Sequence, residues 1–146
     1  MKSLISAALL AAALFQVPSF LVSESPQAPN ASAALIGKSW RAEDINGGGV
    51  IDDARTYVHF ENATKVSGSG GANRFTATCT LDGSKVSFGE LMSTKRMAAP
   101  ALMNQERAFF QALAATRTFK MDENGLLHFL DKDGKELVRM AKEDQP

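Results

Sequence analysis

The stretch Ser67-Gly68-Ser69-Gly70-Gly71-Ala72-Asn73-Arg74-Phe75-Thr76-Ala77-Thr78-Cys79-Thr80-Leu81-Asp82-Gly83 decides how this chain is read. Its second half alternates Phe75, Ala77, Cys79 and Leu81 with threonines, the two-residue period of a strand that buries one face. Asp82-Gly83 then turns the chain into Lys85-Val86-Ser87-Phe88, because Asp-Gly favours the positive backbone angles of tight hairpins. The first half sets three glycines between two strand-like runs. A phosphate cradle would need a Lys-Ser/Thr pair after the last glycine, or a helix behind it, and the sequence has neither. The segment Ser67 to Phe75 therefore reads as a structural turn.

The hairpin device recurs on both sides of this stretch. Asn124-Gly125 and Asp133-Gly134 separate strand-like runs at Phe119–Met121, Leu126–Leu130 and Glu136–Met140. Upstream, Lys38 to Ile45 gives a first strand anchored by Trp40, the one tryptophan. A polar loop with Gly47-Gly48-Gly49 and Asp52-Asp53 leads to Thr56–Phe60, where alternation sends Val58 and Phe60 to one face and Tyr57 and His59 to the other. One segment breaks the β rhythm. After Pro100, the run Ala101 to Ala115 places Leu102, Met103, Phe109, Phe110 and Leu113 on a helical stripe, with Gln105, Glu106, Arg107 and Gln111 on the remaining faces. The expected fold is mainly β (α+β): a curved antiparallel sheet or cracked β-barrel covered by a single α-helix.

Lys and Arg number 16, as do Asp and Glu, so no basic excess exists to hold nucleic acid. The N-terminus pairs a cationic start, Met1-Lys2-Ser3, with an apolar run from Leu4 to Leu14, the pattern of a secretory signal. The expected division is a signal peptide over 1–24, with cleavage anywhere from 22 to 33, a disordered linker over 25–34 rich in Ser, Pro, Ala and Gln, and a folded domain over 35–142. Ala31-Ser32-Ala33 offers one cleavage pattern and Ser25 marks another. The expected product is periplasmic or secreted, with no stable membrane span after processing. The alternative is an inner-membrane anchor made by an uncleaved signal, since Phe20, Leu21 and Val22 lengthen the apolar run.

Chemistry-bearing constellations are scarce. His59 and His128 are the two histidines, both in strand patterns, and no His-x-x-x-His or Cys-x-x-Cys spacing suggests a metal. Gly68-Ser69-Gly70 lacks the flanking pattern of a nucleophile elbow. Asp52-Asp53 reads as a solvated turn, and Asp131, Asp133 and Glu136 read as hairpin residues, since the spacing of a calcium loop is absent. The expectation is a non-enzyme with no catalytic residue, no metal and no cofactor. Cys79, on the face shared by Phe75, Ala77 and Leu81, reads as a buried, inert thiol.

Three segments in order, Gly68-Ser69-Gly70-Gly71-Ala72-Asn73-Arg74-Phe75, Ser93-Thr94-Lys95-Arg96-Met97-Ala98-Ala99-Pro100 and Gln105-Glu106-Arg107-Ala108-Phe109-Phe110, resemble the META domain shared by bacterial heat-shock-type HslJ proteins. Trp40-Arg41-Ala42 and the closing hairpin from Asp131 to Arg139 fit it too, so the likeness runs from about Leu35 to Met140. The resemblance implies a cracked barrel with one helix, a cell-envelope location and a part in stress tolerance rather than a defined reaction. It marks Asn73, Arg74, Thr94 and Glu106 as binding positions and carries over no catalytic residue. Where many members of that family have cysteines, this chain has Ala72 and Ala99, which would remove one cross-link if the two positions are neighbours.

Asn73 is expected to bond backbone groups in the glycine turn, and Arg74 to pair with a carboxylate, Glu106 being a candidate on the helix. Three functional classes stay open. The first is a non-catalytic envelope protein that binds a protein partner or supports stress tolerance. The second is a carrier of a small apolar ligand or lipid inside a partial barrel, and the third an inhibitor of an extracellular hydrolase that inserts a loop into its target.

Overall fold

The computed structural model describes residues 30–144. The signal peptide expected over 1–24 and the linker as far as residue 29 lie outside the described residues. The last five residues assigned to that linker are structured: Ala31–Ala34 form a 3-10 turn, with Asn30 at its N-cap. Ser32 is buried there, and its hydroxyl donates to the Gly83 carbonyl at 2.8 Å. Composition alone missed this, because small polar residues carry little apolar surface, whereas a single hydroxyl contact and the buried Leu35 beside it hold the turn.

The strands follow the alternation of the sequence. They are β1 (Ser39–Ile45), β2 (Thr56–Phe60), β3 (Lys65–Gly70), β4 (Arg74–Asp82), β5 (Lys85–Phe88), β6 (Met92–Ser93), β7 (Thr118–Met121), β8 (Leu127–Leu130) and β9 (Glu136–Glu143), with one α-helix among the described residues, α1 (Pro100–Ala115), between β6 and β7. All pairings are antiparallel, in the order β3-β2-β1-β9-β8-β7-β5-β4, and β3 pairs again with β4, so eight strands close into a barrel. The short β6 adds to the edge of β4 at Phe75 and Thr76. The three expected hairpin turns form, with Gly83 at φ 59° in the first of them. Register shifts between Ala42 and Asp44 and between Phe129 and Leu130 bend the sheet on either side of β9.

Inward-facing side chains fill the barrel. Trp40, Val58, Phe60, Val66, Phe129 and Met140 are fully buried, and α1 adds Phe109 and Leu113. Burying an aromatic or aliphatic side chain of this size contributes about 1.5–3 kcal/mol. The helix lies where expected, but its buried stripe differs in two respects. Glu106, assigned to an outer face, is buried with Phe109, Ala112 and Leu113, while Leu102, Met103 and Phe110 are only half-buried. Cys79 sits in the core as expected, and burial raises its thiol pKa.

The glycine stretch departs from the expected turn. Strand β3 continues through Gly68 and Gly70, paired to β2 and β4, and the turn is confined to Gly71, Ala72 and Asn73. A Cβ at Gly68 would lie 2.1 Å from the Tyr57 carbonyl oxygen and 2.9 Å from the Phe75 ring. A Cβ at Gly70 would lie 2.5 Å from Glu106 Cγ. These two glycines let neighbouring groups approach a strand, which a pattern reading cannot separate from a loop.

Candidate functional site

The turn after β3 delivers Asn73 into the molecule. Gly71 takes φ 115°, a conformation in which a side chain would be strained, and its missing Cβ also leaves room for Leu102 of α1. Asn73 is 4% exposed and uses all its hydrogen-bonding capacity. Its Nδ2 donates to Glu106 Oε1 at 2.7 Å and to the Arg96 carbonyl at 3.3 Å. Its Oδ1 accepts from Thr94 Oγ1 at 2.9 Å and from the Arg96 amide at 2.6 Å.

Glu106 completes the arrangement from the helix. Its Oε2 accepts the amides of Ala72 at 3.0 Å and Asn73 at 2.6 Å, so a buried carboxylate is satisfied by neutral donors. Of the positions marked from the sequence, Asn73, Thr94 and Glu106 are thus brought into one network. Arg74 joins it through its backbone alone: its amide donates to Thr94 Oγ1, and its carbonyl accepts the Thr94 amide. The expected Arg74–Glu106 pair does not form. Arg74 opens strand β4, whose alternation turns its side chain to solvent while the turn amides occupy the carboxylate.

By tying β6 and residues 94–96 to the helix, the network shapes a groove of about 530 Å³ between residues 89–97 and α1. Leu91, Met103, Phe110 and Ala114 line it with apolar surface, and the charges on it are Lys95, Arg96 and Arg107 against Glu90 and Glu106. Phe110 is braced edge-on against Phe75, with ring centroids 5.4 Å apart. A second depression, of about 460 Å³ and more polar, is lined by Ser69, Arg74 and Arg96, and it meets the groove along Asn73, Thr94 and Arg96. Met97, in the groove lining, stands 91% exposed, and Met92 of β6 stands 74% exposed. Sequence reasoning missed Arg96, Met97 and Phe110 as site residues. For Arg96 and Met97 the only available signal was a methionine and two cations in a segment with neither strand nor helix periodicity, whereas Phe110 read as part of the helical stripe.

A sequence profile of the META domain matches residues 33–144. The chain belongs to the META domain family. Among solved structures, this META domain resembles an NMR structure of a protein from Burkholderia xenovorans, with a TM-score of 0.62 and 19% identity over 99% of both chains. It also resembles a second protein solved by NMR, with a TM-score of 0.58 and 21% identity over 73% of this chain and 91% of that one. At these identities the likeness establishes the shared fold. No curated protein matches the chain.

Away from the groove, the META domain carries a polar cluster centred on His128, on the β7–β8 hairpin and β9. His128 Nε2 meets Asp122 Oδ2 at 2.8 Å, and its Nδ1 bonds Glu136 Oε1. Burial disfavours the imidazolium, but the hydrogen bonds to Glu136 and Asp122 and their charges outweigh it, so the pKa of His128 is raised. The bond from His128, followed by the amide of Leu126, lowers the pKa of Asp122. Asp131 likewise accepts the amides of Asp133 and Lys135, the hairpin role expected for it.

Proposed function

We propose that this META domain is a non-catalytic binding module of the cell envelope and that the groove between residues 89–97 and α1 is its binding surface. The observation that carries this reading is an apolar floor of Leu91, Met103, Phe110 and Ala114 beside Lys95, Arg96 and Arg107, which outnumber Glu90 and Glu106 in the lining and form no ion pair among the described residues. Its size falls in the range of about 300–1,000 Å³ typical of ligand pockets. The barrel interior, filled by Trp40, Phe60 and Phe129, argues against a carrier that uses the lumen. The turn after β3 is tied down by Asn73, which argues against an inhibitor that inserts that turn into a cleft.

Export rests on the cationic start and apolar run at Leu4 to Leu14, and stress tolerance on the likeness to HslJ proteins. N-terminal sequencing tests the first. Because Ser32 is docked on Gly83, the expected mature start lies at or before Asn30, and recovery of a Met1-started chain in the membrane fraction would favour the anchored alternative. Ala114→Trp tests the second, since Ala114 is exposed and a tryptophan there would fill the groove without disturbing the core. The expected result is an unchanged melting temperature with loss of survival under envelope stress. Full survival with the groove filled would sink the assignment of the site.

A further inference from the structure

We propose that the occupant of this groove is a single-chain amphiphile with an anionic head, a fatty carboxylate or its phosphate counterpart, with its tail along α1 and its head at Arg74 and Arg96. This deepens the reading above and rests on the groove being the binding surface.

The tail's place follows from helix geometry. Met103, Phe110 and Ala114 lie at helical spacing on one face, and at about 1.5 Å of rise per residue the strip from Met103 to Ala114 is about 16 Å long, the reach of a medium acyl chain. Leu91 faces this strip from across the groove. Met103 supplies a pliable, polarisable wall that accommodates a chain without a fixed shape.

The head's place follows from the second depression. It adjoins the groove along Asn73, Thr94 and Arg96 and adds Arg74 and the Ser69 hydroxyl. Neither Arg74 nor Arg96 forms an ion pair among the described residues. Two carboxylates line the groove, Glu90 and Glu106, and Glu106 is turned to the amides of Ala72 and Asn73 and the amide nitrogen of the Asn73 side chain; Arg74, Lys95, Arg96 and Arg107 outnumber the pair. A guanidinium binds a carboxylate or a phosphate through paired N–H donors, which makes two arginines without ion pairs beside an apolar strip complementary to an anionic head. A cationic amphiphile meets an excess of like charge, because Lys95 and Arg107 line the groove as well and the cations outnumber Glu90 and Glu106.

The test uses the protein as purified from the cells that make it, titrated below micelle-forming concentrations with dodecanoate, dodecyl phosphate, dodecanol and dodecyltrimethylammonium. Binding is read by calorimetry and by the methyl resonances of Met97 and Met103. Both anionic probes are expected to bind saturably and shift these methyls. The cationic probe should bind at least about tenfold more weakly, and Arg74→Glu with Arg96→Glu should reverse that preference. Ala114→Trp should abolish binding with the melting temperature unchanged.

Equal response to all four probes would overturn the anionic ligand while leaving the groove as a binding surface. Binding confined to intact phosphatidylglycerol vesicles would also overturn it, in favour of a membrane surface. If no probe shifts the methyls but Ala114→Trp still removes stress tolerance, the amphiphile is wrong and the groove reading stands, with a protein occupant. If neither effect appears, both fall.

Discussion

At the scale of single residues, Asn73 is the joint on which the site depends. Its Nδ2 lies 2.7 Å from Glu106 Oε1, so Asn73→Asp would set two carboxylates face to face in a buried place. Both cannot ionise there, and the folded state would hold a proton that the unfolded chain releases. Stability then falls as pH rises. The expected urea midpoint of Asn73→Asp is well below wild type at neutral pH and recovers toward the ordinary carboxylate range; a loss independent of pH would contradict the geometry. His128 gives an opposing pair of dependences. Its raised pKa means that its contribution is complete below the ordinary value of 6.5 and is lost as pH rises through the folded value. The lowered pKa of Asp122 means that its contribution is present above the ordinary value of 3.8 and is lost as pH falls through the folded value. The stability difference between wild type and His128→Gln, followed by urea titration against pH, should therefore be largest between those two values. Lys120 and Arg139 pair with His128 in the cross-strand register and make this charge balance local. A difference that is flat with pH would show that the cluster is sterically useful but electrostatically silent.

At the scale of elements, what the sequence disclosed depended on whether an element announces itself by its own period. The strands flanked by Asp-Gly and Asn-Gly, and the helix after Pro100, are local patterns and were legible. Strand β3 was not, because Gly68 and Gly70 are dictated by what lies against them from other parts of the chain: the Tyr57 carbonyl in β2 and Glu106 in α1. For the same reason Glu106 read as an outer-face charge, although turn amides 33 and 34 residues away satisfy it. Of the binding positions marked by resemblance, three of four meet in the network, while Arg74 faces solvent because strand alternation overrides charge attraction. Gly68→Ala tests this account of β3. Its Cβ would meet backbone, which cannot rotate away, so a loss of about 1–3 kcal/mol or more is expected. Gly134→Ala is the control, since a Cβ there meets no atom within 4 Å and carries only the strain of its φ of 82°. If Gly68→Ala unfolds in urea at the same midpoint as wild type, β3 does not pack as described.

At the scale of the whole molecule, the closure of the barrel is uneven, and the helix packs on one strand of its weakest seam as well as on β3. The β1–β9 ladder runs from Ser39 opposite Glu143 to Ile45 opposite Val138, and β3–β4 pairs five residues in register. The β5–β7 joint rests on one register pair, Lys85 with Thr118, supported by the Val86 amide on the Arg117 carbonyl and the Phe119 amide on the Ser84 carbonyl. Few hydrogen bonds hold this seam, so its free energy of opening should fall below that of global unfolding. Hydrogen exchange should find the amides of Val86 and Phe119 less protected than those of the β1–β9 ladder. The helix covers the β5 side of this seam, since α1 packs on β5 and equally on β3, with lesser packing on β1 and β9, and buries Phe109 and Leu113 completely. Phe109→Ala should cost about 3–5 kcal/mol, comparable with the whole margin of a small domain, and should strip protection from the seam before the rest of the barrel. Phe110→Ala should cost less, because that ring is half-buried on the groove side, so the pair separates cover of the core from the lining of the site. Equal losses from the two substitutions, or seam amides that exchange only with global unfolding, would mean that the helix is an integral wall of the barrel and not a lid over its thinnest joint.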